Sequence, residues 1–390
     1  MKARYLANFI EKDLVDRMVF IGGPRQVGKT TLAKLIGQDY FKQPEYLNWD
    51  VYDDRRKIQK NFLPASADLL IFDELHKYRR WKNYIKGVFD KNGQDFKILV
   101  TGSARLDLYR RGDDSLLGRY HYYRLHPFSV AEMANYIFDG QVLKELVFST
   151  TNATTKRHFN ELLSFGGFPA VLFKKDLKDL RRWHNERKER LVKEDIRDVE
   201  IIHDLSNLQL LVDILPEKVG SLLSINNLRS DLEVNHKTVS LWISILENFY
   251  YCFRIYPFAS TKVKSLRKAA KLYLWDWSQV EDTGARLENM VASHLLKFTH
   301  FLHDAQGYNA ELFFWRDPEG REVDLIVVVD KKPWLAIEVK SNSQEVSKNL
   351  KYLTAKNNIP FSFQLVLDDV DFKSGDIRVM NIAKFLSGLV

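Results

Sequence analysis

The sequence predicts an α/β protein: a parallel sheet in the N-terminal third, a helical stretch, a small helix–strand module and a second β-rich domain. Three observations carry this. Short apolar runs alternate with helical patterns from residue 18 to 125, which implies βαβ units. A Gly-rich turn joins the first run to the first helix. From residue 284 onward an amphipathic helix is followed by strand-length runs in the order αβββαβ.

The elements follow in order. Strand 18–21 precedes the Gly-rich turn and a helix from Thr30; strands 46–49 and 69–72, helix 81–91 and strands 97–101 and 120–125 complete the first domain, 1–130. Pro127 and the polar 129–132 end it. Residues 131–205 read as a helical lid and connector, broken by Gly166-Gly167-Phe168-Pro169. In 206–276, helical periodicity at Leu208, Leu211, Leu215 and Val219 leads into a helix, turn and helix over 224–239. Asn235 is a good N-cap, and Val239, Trp242, Ile243 and Leu246 form the second helix's buried stripe. Two strands, 250–257 and 272–275, then flank a basic segment, which is a winged-helix arrangement. Residues 277–390 form the last domain, with no internal repeat anywhere.

Composition excludes several classes. With 45% hydrophobic and 28% charged residues, the 390-residue chain is globular rather than disordered. The single cysteine, Cys252, makes no internal disulfide and no thiolate cluster, so a reducing compartment is expected. Residues 1–9 are polar and basic, and runs such as 325–329 are far short of the roughly 20 residues that span a bilayer. A soluble cytoplasmic protein with no membrane partner is the expectation. The net charge of +8 is uneven. Lys262, Lys264, Arg267, Lys268 and Lys271 form an acid-free stretch, which is either a solvated face or, as the wing, a contact to nucleic-acid phosphates.

Gly23-Pro24-Arg25-Gln26-Val27-Gly28-Lys29-Thr30 fits G-x-x-x-x-G-K-[ST] in full, between a strand and a helix. The glycines let backbone N–H groups close around phosphate oxygens, and the helix N-terminus faces them. Lys29 is expected to bridge the β- and γ-phosphates of ATP and Thr30 to ligate Mg2+. A buried-strand run, 68–72, ends in Asp73-Glu74: Asp73 would hold the hydrated metal and Glu74 would polarise the attacking water, which favours a hydrolase. Thr101-Gly102-Ser103 ends another strand, and a hydroxyl there reaches the γ-phosphate if that strand lies between the two motif strands; otherwise it is a plain turn. The nucleotide-contacting set is therefore residues 23–30 with Thr31, Ser103 and Arg119. Arg119 is a candidate for transition-state charge, in its own or a neighbouring subunit, with Arg105 and Arg25 as competitors.

The C-terminal domain offers a second site. A period of two sets Glu338 and Lys340 on one face of a strand, and Asp324 on the adjacent strand meets Glu338 around a divalent ion, Mg2+ or Mn2+. Glu288 completes the set from the preceding helix. Carboxylates, metal and lysine near a phosphodiester form the PD-(D/E)xK nuclease pattern, with Asp324, Glu338 and Lys340 as catalytic candidates and Glu288, Asp324 and Glu338 as metal ligands. The bland reading is a surface salt-bridge cluster.

The series 22–30, 72–77, 101–104, 118–119 with 125–129, 166–169 and 286–289 resembles the predicted prokaryotic AAA-type ATPases that carry a C-terminal domain of unknown function. The similarity spans nearly the whole chain. It implies an AAA-like P-loop core, a winged helix and a PD-(D/E)xK-type C-terminal domain, with Lys29, Thr30, Asp73 and Glu74 serving ATP and Glu288, Asp324, Glu338 and Lys340 the nuclease-like site. The stretch from Asp276 to Gly284 is short where relatives carry an insertion.

Together these readings predict an ATP-hydrolysing, AAA-like enzyme acting on DNA, with a metal-dependent nuclease-like site and a homo-oligomeric state open to it. Two alternatives stand beside this: a nucleotide-gated DNA-binding regulator, and a protein-remodelling ATPase, each with a nuclease fold that is not catalytic.

Overall fold

The computed structural model describes residues 4–92, 96–102, 116, 118–148, 152–197, 204–259, 265, 269–343 and 345–390. The chain divides into two compact units, Met1–His126 and Pro127–Val390.

Five strands make the first unit's sheet: β1 (Met18–Gly22), β2 (Pro44–Asn48), β3 (Leu69–Asp73), β4 (Lys97–Thr101) and β5 (Tyr120–Arg124). Their order is β2-β3-β4-β1-β5, and every pairing is parallel. β1, β3 and nearly all of β4 are buried, which explains their unbroken apolar character. One sheet face packs Phe20, Phe72, Ile98 and Val100 against Trp81, Ile85 and Val88 of the helix Trp81–Asn92. The register aligns Ile21, Thr101, Asp73 and Asn48 at the strands' C-terminal edge. That edge is where open parallel sheets bind ligands.

The second unit is built on one eight-stranded sheet, ordered β12-β13-β11-β10-β9-β8-β6-β7. Its strands are β6 (Cys252–Pro257), β7 (Lys271–Leu274), β8 (Ala310–Arg316), β9 (Glu322–Val329), β10 (Lys332–Val339), β11 (Phe361–Val366), β12 (Asp371–Ser374) and β13 (Ile377–Asn381). The helix Thr283–Asp304, β8, β9, β10, the helix Lys348–Asn357 and β11 follow the αβββαβ order, and β12, β13 and a final helix Ile382–Ser387 extend it. Leu350 and Leu353 of the helix Lys348–Asn357 pack on Ile326, Val328 and Ala336.

Two expectations are corrected here. The helices Ile225–Asp231 and His236–Asn248 are followed by the antiparallel hairpin β6–β7, but the hairpin is no separate module. β6 runs parallel to β8 through Tyr256 and Pro257, so one sheet continues across the boundary expected at 276. Most of the basic segment between β6 and β7 lies outside the described residues. The expected lid, with helices Ala153–Phe165 and Leu177–Arg190, instead belongs to the second unit. The reason is a buried polar junction. Trp277 Nε1 donates to the Leu162 carbonyl at 2.7 Å, and the Phe128 amide donates to the Gly167 carbonyl at 2.8 Å. Asp276 is fully buried, accepts the Ser278 hydroxyl at 2.6 Å and lies 3.4 Å from His184 Nε2.

The glycine pair at 166–167 is what lets these chains meet. A Cβ on Gly167 would stand 2.6 Å from the Phe128 carbonyl oxygen, with the Trp277 ring and Pro127 close behind. Gly167→Ala is therefore expected to destabilise the second unit by about 2 kcal/mol, the scale of core overpacking. Urea denaturation followed by tryptophan fluorescence measures this; an unchanged midpoint would mean the junction yields freely.

Candidate functional site

β1 runs straight into the phosphate-binding loop, and the helix Lys29–Tyr40 leaves it. Gly23 sits at φ +133°, where an added Cβ would meet the Leu125 carbonyl oxygen at 2.4 Å, so only glycine fits. Gly28 at φ +101° turns the chain into the helix. Lys29 is buried, and its Nζ donates to the carbonyls of Gly23 at 2.9 Å and Pro24 at 2.7 Å. Within the remaining motif Val27 is buried, while Arg25, Gln26 and Thr31 are exposed around it.

At the end of β3, Asp73 is buried at 5% exposure. Its Oδ2 accepts the Thr30 hydroxyl at 2.8 Å and the Tyr46 phenol at 2.7 Å; its Oδ1 accepts the Thr101 hydroxyl at 2.5 Å. Burial, and then the Asp73 carboxylate, push the Tyr46 phenol well above its ordinary value. Thr30 and Asp73 thus offer adjacent hard oxygen donors beside the phosphate loop, a set that fits the Mg2+ of a nucleotide. β4 lies between β1 and β3, and the hydroxyl it delivers to the site is that of Thr101; Ser103 and Arg105 lie outside the described residues.

Glu74 follows at φ +56°, a left-handed conformation that turns the chain off the sheet. Its amide donates to the Thr101 carbonyl at 3.0 Å. Its carboxylate lies 3.4 Å from Lys77 Nζ and 3.6 Å from His76 Nε2.

Arg119 is a correction. It enters β5 at the N-terminal edge, where its carbonyl accepts the Met18 amide, and its guanidinium pairs with Asp90 at 2.8 Å. Five residues of strand, about 16 Å at about 3.3 Å each, separate it from the phosphate-loop edge. It cannot reach its own P-loop. Arg4 does touch the loop: it is buried at 7% and donates to the Val27 carbonyl at 2.8 Å and the His126 carbonyl at 2.5 Å. Nothing local in the sequence marks Arg4 or Tyr46; both act across long chain separations.

In the second unit the expected cluster is brought together, with an addition. Glu338 Oε1 accepts from Lys340 Nζ at 2.9 Å, and Asp324 Oδ2 accepts the Val339 amide at 2.9 Å. Lys271, expected in the basic wing, turns inward instead and is 2% exposed. Its Nζ lies 2.7 Å from Glu322 Oε1, 3.2 Å from Glu288 Oε1 and 3.6 Å from Asp324 Oδ1. The Tyr273 hydroxyl adds a bond to Glu288 at 2.7 Å. Burial acts to lower the Lys271 amine, but the charges of Glu288, Asp324 and Glu322 outweigh it and hold the ammonium form. Glu338 Oε2 is buried with no hydrogen-bond partner. Among the described residues no three His, Cys, Asp or Glu side chains converge as a metal ion requires. Two of the expected ligands, Glu288 and Asp324, thus face the Lys271 ammonium, while Glu338 faces Lys340.

The geometry of the first unit defines a P-loop ATPase fold of the AAA type, and residues 15–134 match the family described as an AAA domain. Residues 156–280 match a domain of unknown function (DUF8612) and residues 283–385 another (DUF4143). Among similar proteins, uncharacterized protein MJ1544 of Methanocaldococcus jannaschii is 22% identical over 373 residues, covering 90% of this chain and 81% of the relative. MJ1637 of the same organism is 23% identical over 408 residues, covering 92% and 83%. Among solved structures, the Thermotoga maritima RuvB Holliday junction branch migration motor is 17% identical, with a TM-score of 0.32, covering 64% of this chain and 85% of that one.

Two predictions follow from this geometry. Arg4→Ala removes a buried guanidinium from two carbonyls; bonds of this kind are worth roughly 1.5–3 kcal/mol. The first unit should melt lower and bind ATP several-fold more weakly, measured by calorimetry and nucleotide titration. The second concerns pH. Burial, then the Asp324 charge, raise both Glu288 and Glu338 to about 7 from 4.5. A raised carboxyl contributes stability that is complete below the unfolded value and lost as pH rises through the folded one. Denaturation midpoints of the second unit should fall between about pH 4.5 and 7, and Glu338→Gln should flatten that fall; a slope unchanged by the substitution contradicts it.

Proposed function

We propose that this chain hydrolyses ATP with Mg2+ at the first unit's P-loop. The observation that carries this reading is the convergence of Thr30, Thr101 and Tyr46 hydroxyls on the buried Asp73 carboxylate beside the phosphate loop. In this reading Lys29 gives up its loop carbonyls to hold the β- and γ-phosphates. Thr30 and Asp73 hold the metal, which when bound neutralises charge on the phosphate oxygens. Thr101 orients Asp73 and senses the γ-phosphate through it. Glu74 positions the attacking water and takes up its proton.

The partner we propose is DNA, engaged by the second unit. The helix–turn–helix with its hairpin, and the exposed Lys178, Arg181 and Arg182 of the helix Leu177–Arg190, support phosphate contacts. The ammonium of Lys271 among the carboxylates favours a nucleotide-gated DNA-binding role over metal-dependent cutting at Asp324, Glu338 and Lys340. The buried single thiol of Cys252 suits a cytoplasmic setting. Among the described residues no helix is long and apolar enough to cross a membrane. Self-association, with a neighbour's arginine completing the site, belongs to the same reading.

The test is a DNA-titrated ATPase assay. Lys29→Ala should abolish nucleotide binding, while Glu74→Gln should retain it and lose about 10²-fold or more of turnover, the scale of a lost general base. DNA should stimulate turnover and bind with an affinity that falls steeply with salt. Full turnover in Glu74→Gln contradicts the hydrolytic assignment. Salt-insensitive DNA binding points to a protein substrate instead.

A further inference from the structure

The carboxylate cluster of the second unit has an unusual cation. Lys271 opens β7, a strand buried at all four positions. Lys271 and Tyr273, two residues apart, both meet Glu288 on the helix Thr283–Asp304. Glu322 and Asp324, two apart on β9, present their carboxylates to the same ammonium. An ammonium has three N–H donors, and here three carboxylates lie within 2.7–3.6 Å of it. The neighbouring charges are also answered: Glu322 pairs with Arg316 at 2.8 Å, and Glu338 with Lys340 at 2.9 Å.

A divalent ion bridging Glu288 Oε1 to Asp324 Oδ1 would take the place that the Lys271 ammonium now fills. Mg2+ and Mn2+ take six oxygen ligands around a charge of two. A compact ammonium on a flexible stem supplies one charge and directional donors instead. A dication at that place would stand directly against the ammonium, and like charges repel strongly in a buried pocket. Nor does the remaining unpartnered atom, Glu338 Oε2, make a metal site alone.

We propose that the ammonium of Lys271 is the resident cation of this cluster, standing in for the divalent ion that the carboxylates would otherwise bind. The cluster gains a divalent-ion site only when that ammonium is removed. The carboxylates then serve to hold the edge strand β7 to the helix Thr283–Asp304 and to β9, and the half-exposed Lys340 remains as the cation that faces solvent. This deepens the non-cutting reading of the second unit. Its test reads metal stoichiometry rather than DNA, so either can fail without the other.

The experiment is Mn2+ titration of the full-length, nucleotide-free chain followed by electron paramagnetic resonance. Wild type, Asp324→Asn and Glu338→Gln should bind the same number of Mn2+ ions; loss of one ion per chain in either variant overturns the proposal. Lys271→Met should gain one Mn2+ per chain, and Lys271→Met/Asp324→Asn should lose it again. Lys271→Arg, which keeps the charge, should match wild type. A Lys271→Met protein that is folded by circular dichroism yet gains no ion also overturns it. If Lys271→Met does not fold, the comparison of wild type with Asp324→Asn and Glu338→Gln decides.

Discussion

The first unit depends on one buried carboxylate. Asp73 lies at 5% exposure, where an unsatisfied anion would cost several kcal/mol, on the order of a buried charge left without partners. Its partners come from three places: Tyr46 on β2, Thr30 at the start of the P-loop helix and Thr101 on β4. They reach it only because β4 is inserted between β1 and β3 and because the parallel register levels Ile21, Thr101, Asp73 and Asn48. Strand order is thus tied to site chemistry. A sheet that exchanged β4 with its neighbour would keep its core and lose the hydroxyl from Asp73. The left-handed turn at Glu74 follows from the same constraint, since its amide is bonded to the Thr101 carbonyl.

The second unit answers a similar problem with opposite means. Hydroxyls satisfy a single carboxylate in the first unit; an ammonium lies among three in the second. The difference has consequences for chemistry. Hydroxyl donors can give way to a metal that brings its own charge, because they are neutral and lose only a hydrogen bond. A buried ammonium resists displacement, since its removal leaves carboxylates facing one another. The raised carboxyls of Glu288 and Glu338 belong to this economy of charge: burial and Asp324 favour their neutral forms, which brings the cluster nearer neutrality.

Much of this was legible in the sequence where the information is local. The loop 23–30 is read from consecutive residues, and the Asp73-Glu74 pair ends a strand whose apolar run announces itself. Glu338 and Lys340 share a side because strands alternate, and their ion pair at 2.9 Å reflects that periodicity. Residues whose role arises from long-range contact left no trace. Arg4 reaches carbonyls at 27 and 126, and Tyr46 meets Asp73 from the neighbouring strand. The sheet that continues across residue 276 is hidden for the same reason: nothing in β6 alone announces that Tyr256 and Pro257 pair with Phe313 and Phe314.

The places of Arg119 and Lys271 follow from strand direction and strand character. Arg119 precedes its strand, and in an all-parallel sheet whose first strand leads into the phosphate loop, a residue at a strand's start lies at the far edge from that loop. Strand direction alone excludes it from its own site. Lys271 ends a basic run, but the next residues, Leu272-Tyr273-Leu274-Trp275, are uniformly apolar or aromatic. A lysine at the head of such a strand must either point its amine back to solvent or find carboxylates within the core. The acidic residues at alternate positions 322 and 324 on one strand were the available partners. Charge runs describe a surface only while the chain stays on it; once the chain enters a buried strand, each cation has to be matched to its anion one by one.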